Sequence, residues 1–198
     1  MDFPDRKTLL EILNAPDPLV QVVRGHQAID AALCAAIGEA LAEPHALEIT
    51  RMSFDLKLDL AVALGVLRHE ARPAFSSINR IRNAFAHRSN ATVDERVARD
   101  LFASLAPHHR EALRQGEQGK GGTLSDFRRV IAVLFFEARA AYFRLQEKKL
   151  ADEALGEIIR ETLASTPDTP DVKYRQGKVA DEVREIVARK KKERDLRK

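Results

Sequence analysis

Cysteine occurs once in the 198 residues, at position 34. A lone thiol cannot close an intramolecular disulfide, so this is not a disulfide-held scaffold. Cys34 sits in an Ala-rich apolar run, the usual setting of a small buried thiol. Glycine is scarce, with nine residues, and period-2 alternation of apolar and polar residues is hard to find, which argues against a sheet. No apolar run approaches about 18 residues, so no transmembrane helix is expected and no membrane partner. The first residues, Met1-Asp2-Phe3-Pro4-Asp5, lack a basic stretch leading into an apolar one. No secretory leader is therefore expected, and the expected location is cytoplasmic.

What remains suits a globular helical chain. The apolar fraction is 44%, normal for a folded domain and too high for global disorder. The length fits one domain, or one domain with an appendage. Net charge is +3, unevenly placed. Residues 178–198 hold nine Lys and Arg against five Asp and Glu, a net of +4, leaving about −1 for the rest. The basic pI therefore comes from the tail, and basic tails either attract nucleic acid and acidic surfaces or are simply solvated.

Periodicity predicts helices throughout, an all-α fold. A short helix over 5–13 is expected, stopped by the Pro16/Pro18 pair. From Leu19 to Leu41 an apolar stripe runs through Val22, Val23, Ile29, Leu33 and Ile37, with Pro44 as the stop. Residues 45–52 read as a loop or frayed turn. Ser53 is placed to cap a helix carrying Phe54, Leu56, Leu58, Leu60, Leu64 and Leu67. Pro73 suits the first turn of the next helix, running to about His87, and Ser89-Asn90 breaks it. Thr92 begins a segment with Val93, Val97, Leu101 and Leu105, and Pro107 starts a short helix to Gln115. Residues 116–122 read as a loop. A long helix capped by Thr123 or Ser125 carries Phe127, Ile131, Leu134, Phe135, Tyr142 and Leu145 and continues toward Leu163. The expected organisation is a bundle over 1–164, a Pro-containing linker over 165–176, and a basic amphipathic helix over 177–198 with Val179, Val183, Ile186 and Val187 on one side.

Chemistry concentrates at Ile78-Asn79-Arg80-Ile81-Arg82-Asn83-Ala84-Phe85-Ala86-His87-Arg88. Arg82, Asn83 and His87 are polar groups spliced into an apolar helical pattern, and such groups are costly to bury without partners. At roughly 100° per residue, Asn83 and His87 stack on one side. Arg82 and His87 point roughly 140° apart, so the Arg must bend round or meet a partner from another chain.

This trio resembles the Arg-x4-His signature of the HEPN superfamily, whose Arg is followed by a polar residue. The context Ser53-Phe54-Asp55-Leu56-Lys57-Leu58-Asp59-Leu60-Ala61, then Ala63-Leu64-Gly65-Val66-Leu67, then Ile78 to His87, resembles the branch containing the mannitol operon repressor and its relatives, over roughly residues 19–145. The toxins of the minimal-nucleotidyltransferase pairs carry a Tyr two residues after the His; here that position is Ser89, a departure from that branch. The resemblance implies an up-down helical bundle with a C-terminal helical extension, acting as a homodimer with two motifs facing across a cleft. It implies a metal-independent endoribonuclease that needs no cofactor, takes RNA as substrate, leaves a 2′,3′-cyclic phosphate and serves defence, stress or toxin–antitoxin roles, with an antitoxin or regulatory protein as a further partner. His87 would be the acid/base, Arg82 the phosphate clamp and Asn83 the orienting group. The rival implied by the same branch is a non-catalytic transcriptional regulator or interaction module.

Further candidates flank this motif. His26 and Asp30, at i and i+4, would face one another and flank the cleft, or form an ordinary hydrogen bond. Lys57 would reach a phosphate or pair with a carboxylate. Arg80 and Arg88 would widen a positive cleft, or stand solvated. Three other readings fail. Gly119-Lys120 is no phosphate loop, since Arg114 stands where the first Gly belongs and Gly121 where Ser or Thr belongs. His108-His109 and His69-Glu70 lack partners at metal-ligand spacing, so no metal site is expected. No Gly-x-Ser-x-Gly or Cys-His pattern supports nucleophilic catalysis.

Overall fold

Side-chain caps and prolines set where the helices begin. In the computed structural model, which describes residues 3–87, 92–115, 123–164 and 172–195, every regular element is helical. Asp5 accepts the Thr8 backbone N–H at 2.7 Å and starts α1 (Arg6–Leu13); that bond holds the Asp5 carboxyl below its ordinary value. Asp17 accepts the Leu19 N–H at 2.8 Å, with Pro18 in the first turn of α2 (Pro18–Ala40). Pro18 therefore opens a helix as well as closing the gap after α1, because its missing N–H falls where no intrahelical bond is made. Ser53 caps α3 (Phe54–Ala63), as its position predicts. Gly65 takes φ +69 just past that helix, and Val66 N–H returns to the Ala61 carbonyl at 2.8 Å, the left-handed helix end that glycine favours.

The chain divides into two units, residues 1–142 and 143–198. In the first, α2 is the central element, packed against α1, α3 and α4 (Arg72–His87), while α4 also meets α5 (Glu95–Ala103). The stripe expected on α2 is buried at Val22, Ile29, Leu33 and Ile37, and Ala28, Ala32 and Ala36 fill the space between. At Gly25 α2 meets α7 (Thr123–Ala164): a Cβ there would lie 2.9 Å from Ile131 Cγ2, so the missing side chain permits the approach. Phe127, Ile131, Leu134 and Phe135 of α7 are buried, and the Tyr142 ring meets Phe3 at 5.3 Å.

Two helix boundaries and one face of this unit differ from expectation. Between α2 and α3, where a loop or frayed turn is expected over 45–52, lie two 3-10 turns, Pro44–Ala46 and Ile49–Arg51, with Ile49 buried. Helix α5 starts at Glu95, because Asp94 accepts the Val97 N–H at 2.8 Å and out-competes Thr92 as the cap. On α3 the buried positions are Phe54, Lys57, Leu58 and Ala61, whereas Leu56 faces out; the helix ends at Ala63, so Leu64, expected on it, is its exposed C-cap and Leu67 is buried beyond it. A lysine thus occupies a slot that hydrophobicity alone assigns to leucine. Helix α6 (Pro107–Gln115) keeps its expected bounds.

In the second unit the C-terminal part of α7 pairs with α8 (Val172–Asp195). Ala154 and Ile158 are buried, and Val183, Ile186 and Val187 are half-buried. Lys190 reaches Glu157 at 2.8 Å and Glu153 at 3.4 Å, and Lys191 reaches Glu147 at 3.2 Å. Part of the basic tail is thus matched to carboxylates of the neighbouring helix. Helix α8 begins at Val172, five residues before the start expected from its apolar pattern. The expected break at Ser89-Asn90, the loop 116–122 and residues 165–171 of the expected linker lie outside the described residues.

Candidate functional site

Helix α4 presents the motif. Its buried face, Ala74, Phe75, Ile78 and Asn79, locks it onto α2 and α3, which aims the following turn. Arg82 and Asn83 are half-buried, and Arg82 Nη1 donates to Asn83 Oδ1 at 3.1 Å. His87 is exposed in the last turn. Among the described residues no hydrogen bond joins Arg82 to His87; the long Arg donates to its neighbour Asn83 instead.

Behind Arg82 lies a polar cluster built from three helices. Lys57 of α3 is almost wholly enclosed, its side chain 3% exposed, and its Nζ donates to both oxygens of Asp30 on α2, at 2.7 and 2.9 Å. Burial pulls this ammonium down, but the hydrogen bond and charge of Asp30 outweigh it and leave Lys57 above its ordinary value. An ammonium in a poorly polarisable interior survives only with such a partner. Cys34 Sγ lies 4.0 Å from the same carboxylate, and burial together with Asp30 pushes the thiol up.

His26 is also buried, its ring 4.4 Å from Phe54 and its Nε2 without a hydrogen-bond partner. The expected face-to-face pairing of His26 with Asp30 is replaced, since Asp30 gives its oxygens to Lys57. The stronger claim wins because a stranded buried ammonium costs more than a neutral imidazole. Burial lowers the His26 pKa; Asp30 and Asn79 oppose this, while the charges of Arg82 and Lys57 reinforce it. At neutral pH His26 is therefore the neutral member of a charged group.

The structure thus gathers His26, Asp30 and Lys57 behind Arg82 and Asn83, and leaves His87 apart at the helix end. Lys57 and His26 are buried, so little of either is open to solvent. Arg80 lies on another side of α4, donating to Ser77 Oγ at 3.0 Å. Arg88 lies outside the described residues. Sequence reasoning missed Asn79, which is buried, lies near His26 and donates to Asp55 Oδ2 at 3.4 Å. The available signal was spacing: Asn79 precedes Arg82 by three residues and Asn83 by four, which puts all three on neighbouring parts of one face.

Elsewhere, His108 faces Glu70 at 3.9 Å and His109 faces Glu137 at 3.6 Å, so the two adjacent histidines address different carboxylates. Among the described residues no three His, Cys, Asp or Glu side chains gather where they could hold a metal ion, and no helix is long and apolar enough to cross a membrane. Comparison with protein-family models, with curated proteins and with solved structures finds no match. What is established at this level is an all-α fold among the described residues, with Lys57 buried against a partly exposed Asp30 and His26 within electrostatic reach of both and of Arg82.

Proposed function

We propose that the chain is a metal-independent endoribonuclease of HEPN type acting as a homodimer. One observation carries the reading. The motif turn holds Arg82 half-buried through Asn83 and leaves His87 exposed one turn on, a half-site that a second copy facing it would complete. The chemistry suits these groups. A neutral His87 takes the proton of a ribose 2′-OH, and the 2′-oxygen forms a bond to phosphorus. The bond from phosphorus to the 5′-oxygen breaks, and a protonated His87 of the second copy supplies the proton to that oxygen. Arg82, always charged, stabilises the added charge on the phosphoryl oxygens. The products are a 2′,3′-cyclic phosphate and a 5′-OH, and no redox partner is consumed.

A second reading has its own support. Arg82 is half-buried and donates to Asn83 Oδ1 of its own helix at 3.1 Å, as in a regulator or interaction module that keeps the fold without catalysis. Incubation of the purified protein with mixed RNA in EDTA, beside His87→Ala and Arg82→Ala, separates the two. The nuclease reading expects cyclic-phosphate ends from the wild type and at least a hundredfold less cleavage from either variant, in line with the loss of an acid/base group in His87→Ala and of charge stabilisation in Arg82→Ala. No cleavage, or equal cleavage by all three proteins, favours the regulator.

A further inference from the structure

A groove of about 280 Å³ runs between α4 and α5. Its floor is apolar, formed by Ile81, Val97 and the buried Leu101. Two opposite charges stand at it, Arg80 from α4 and Asp100 from α5. Neither is fully engaged. Arg80 donates one hydrogen bond to Ser77 Oγ at 3.0 Å, which leaves most of its N–H fork for another acceptor. Asp100 lies 3.8 Å from Arg96 on the exposed face of α5, a loose contact in water. The groove also has a fixed relation to the motif. Arg80, Ala84 and His87 stand at i, i+4 and i+7, one stripe of α4, and Ala84 lines the groove. Arg80 and His87 are thus about 10 Å apart along the helix axis.

We propose that this groove is a nucleobase subsite selective for guanine, which makes the substrate single-stranded RNA with a guanine beside the scissile phosphate. This rests on the ribonuclease reading of His87 and deepens it. An apolar floor accepts the face of a base that has left its stack, as an unpaired strand allows. Arg80 offers paired N–H donors to guanine O6 and N7. The Asp100 carboxylate accepts from guanine N1–H and the 2-amino group, two adjacent donors that no other common base presents. Adenine and cytosine offer a carboxylate one amino group, and uracil one imide N–H.

The test titrates the full-length protein with GMP, AMP, CMP and UMP, following amide shifts by NMR, and maps the ends of any RNA it cleaves. GMP is expected to shift α4 and α5 resonances around the groove and to bind about tenfold more tightly than the others. Arg80→Gln and Asp100→Asn should each remove that preference without moving the unfolding midpoint, since both residues are exposed. Equal binding of the four nucleotides, or a GMP preference that survives both substitutions, overturns the subsite. The two readings fail separately. A GMP preference in a protein that cleaves nothing supports the guanine site and sinks the nuclease, whereas cleavage with no base preference and no GMP preference sinks the guanine site alone.

Discussion

Lys57 in the first unit and Lys190 in the second make nearly the same contact, at 2.7 Å to Asp30 and 2.8 Å to Glu157. Their surroundings differ. The Lys57 side chain is 3% exposed and that of Lys190 is 24% exposed. Both ammonium groups sit above their ordinary value, Lys57 because Asp30 outweighs a strong burial effect, Lys190 chiefly through the Glu157 hydrogen bond. The difference teaches that an ion pair is defined by what happens when it breaks. Water takes back an exposed lysine at little cost, whereas an enclosed one is left stranded. The first pair is therefore a keystone of the α2–α3 packing behind the motif, and the second is a trim on a helix pair.

The largest expected effect tests that keystone. Asp30→Ala leaves the Lys57 ammonium enclosed without a counter-charge and should cost about 3 kcal/mol, read from urea unfolding. Replacing both partners by apolar residues, Asp30→Leu with Lys57→Met, should recover most of that loss, because no charge is left to bury. A loss below about 1 kcal/mol in the single variant would put the two pairs in the same class and remove the distinction.

A smaller effect reports on the same cluster through pH. Burial, aided by Arg82 and Lys57, holds His26 below its ordinary value, against Asp30 and Asn79. The unfolded chain then takes a proton at this position before the folded chain does. Stability contributed here is full above about pH 6.5 and falls as pH drops below it toward the lower folded value. Urea midpoints measured across that range should decline for the wild type and decline less for His26→Gln. Equal slopes would show that the imidazole is free to charge where it lies.

The smallest effect is expected in the second unit. Lys190→Ala should move the unfolding midpoint barely, and what movement there is should vanish at high salt, as screening removes exposed pairs. A salt-independent loss as large as that of Asp30→Ala would show that Lys190 is enclosed in a way its exposure denies.

The candidate site was only partly legible. Local rules found the starts of α3, α4 and α6, because a serine cap or a first-turn proline acts within four residues of itself. The same rules missed Asp94 as the cap of α5, where an aspartate and a threonine two residues apart offered competing oxygens. Arg82 and Asn83 were legible as neighbours and do bond to one another. The partner of Lys57 was not, for Asp30 lies 27 residues away on another helix. Asn79 was passed over for a related reason, since its place in an apolar-looking face hid a contact to Asp55 on α3.

Sequence alone carries the helical character of the chain and places Arg82, Asn83 and His87 within the last two turns of one helix. Both follow from a repeat of 3.6 residues acting over short distances. Which carboxylate answers Lys57, which histidine is enclosed, and which side of α4 opens into a groove with α5 were decided by tertiary packing alone. Each depends on residues from different helices competing for one small volume, and a competition across space leaves no periodic mark along the chain.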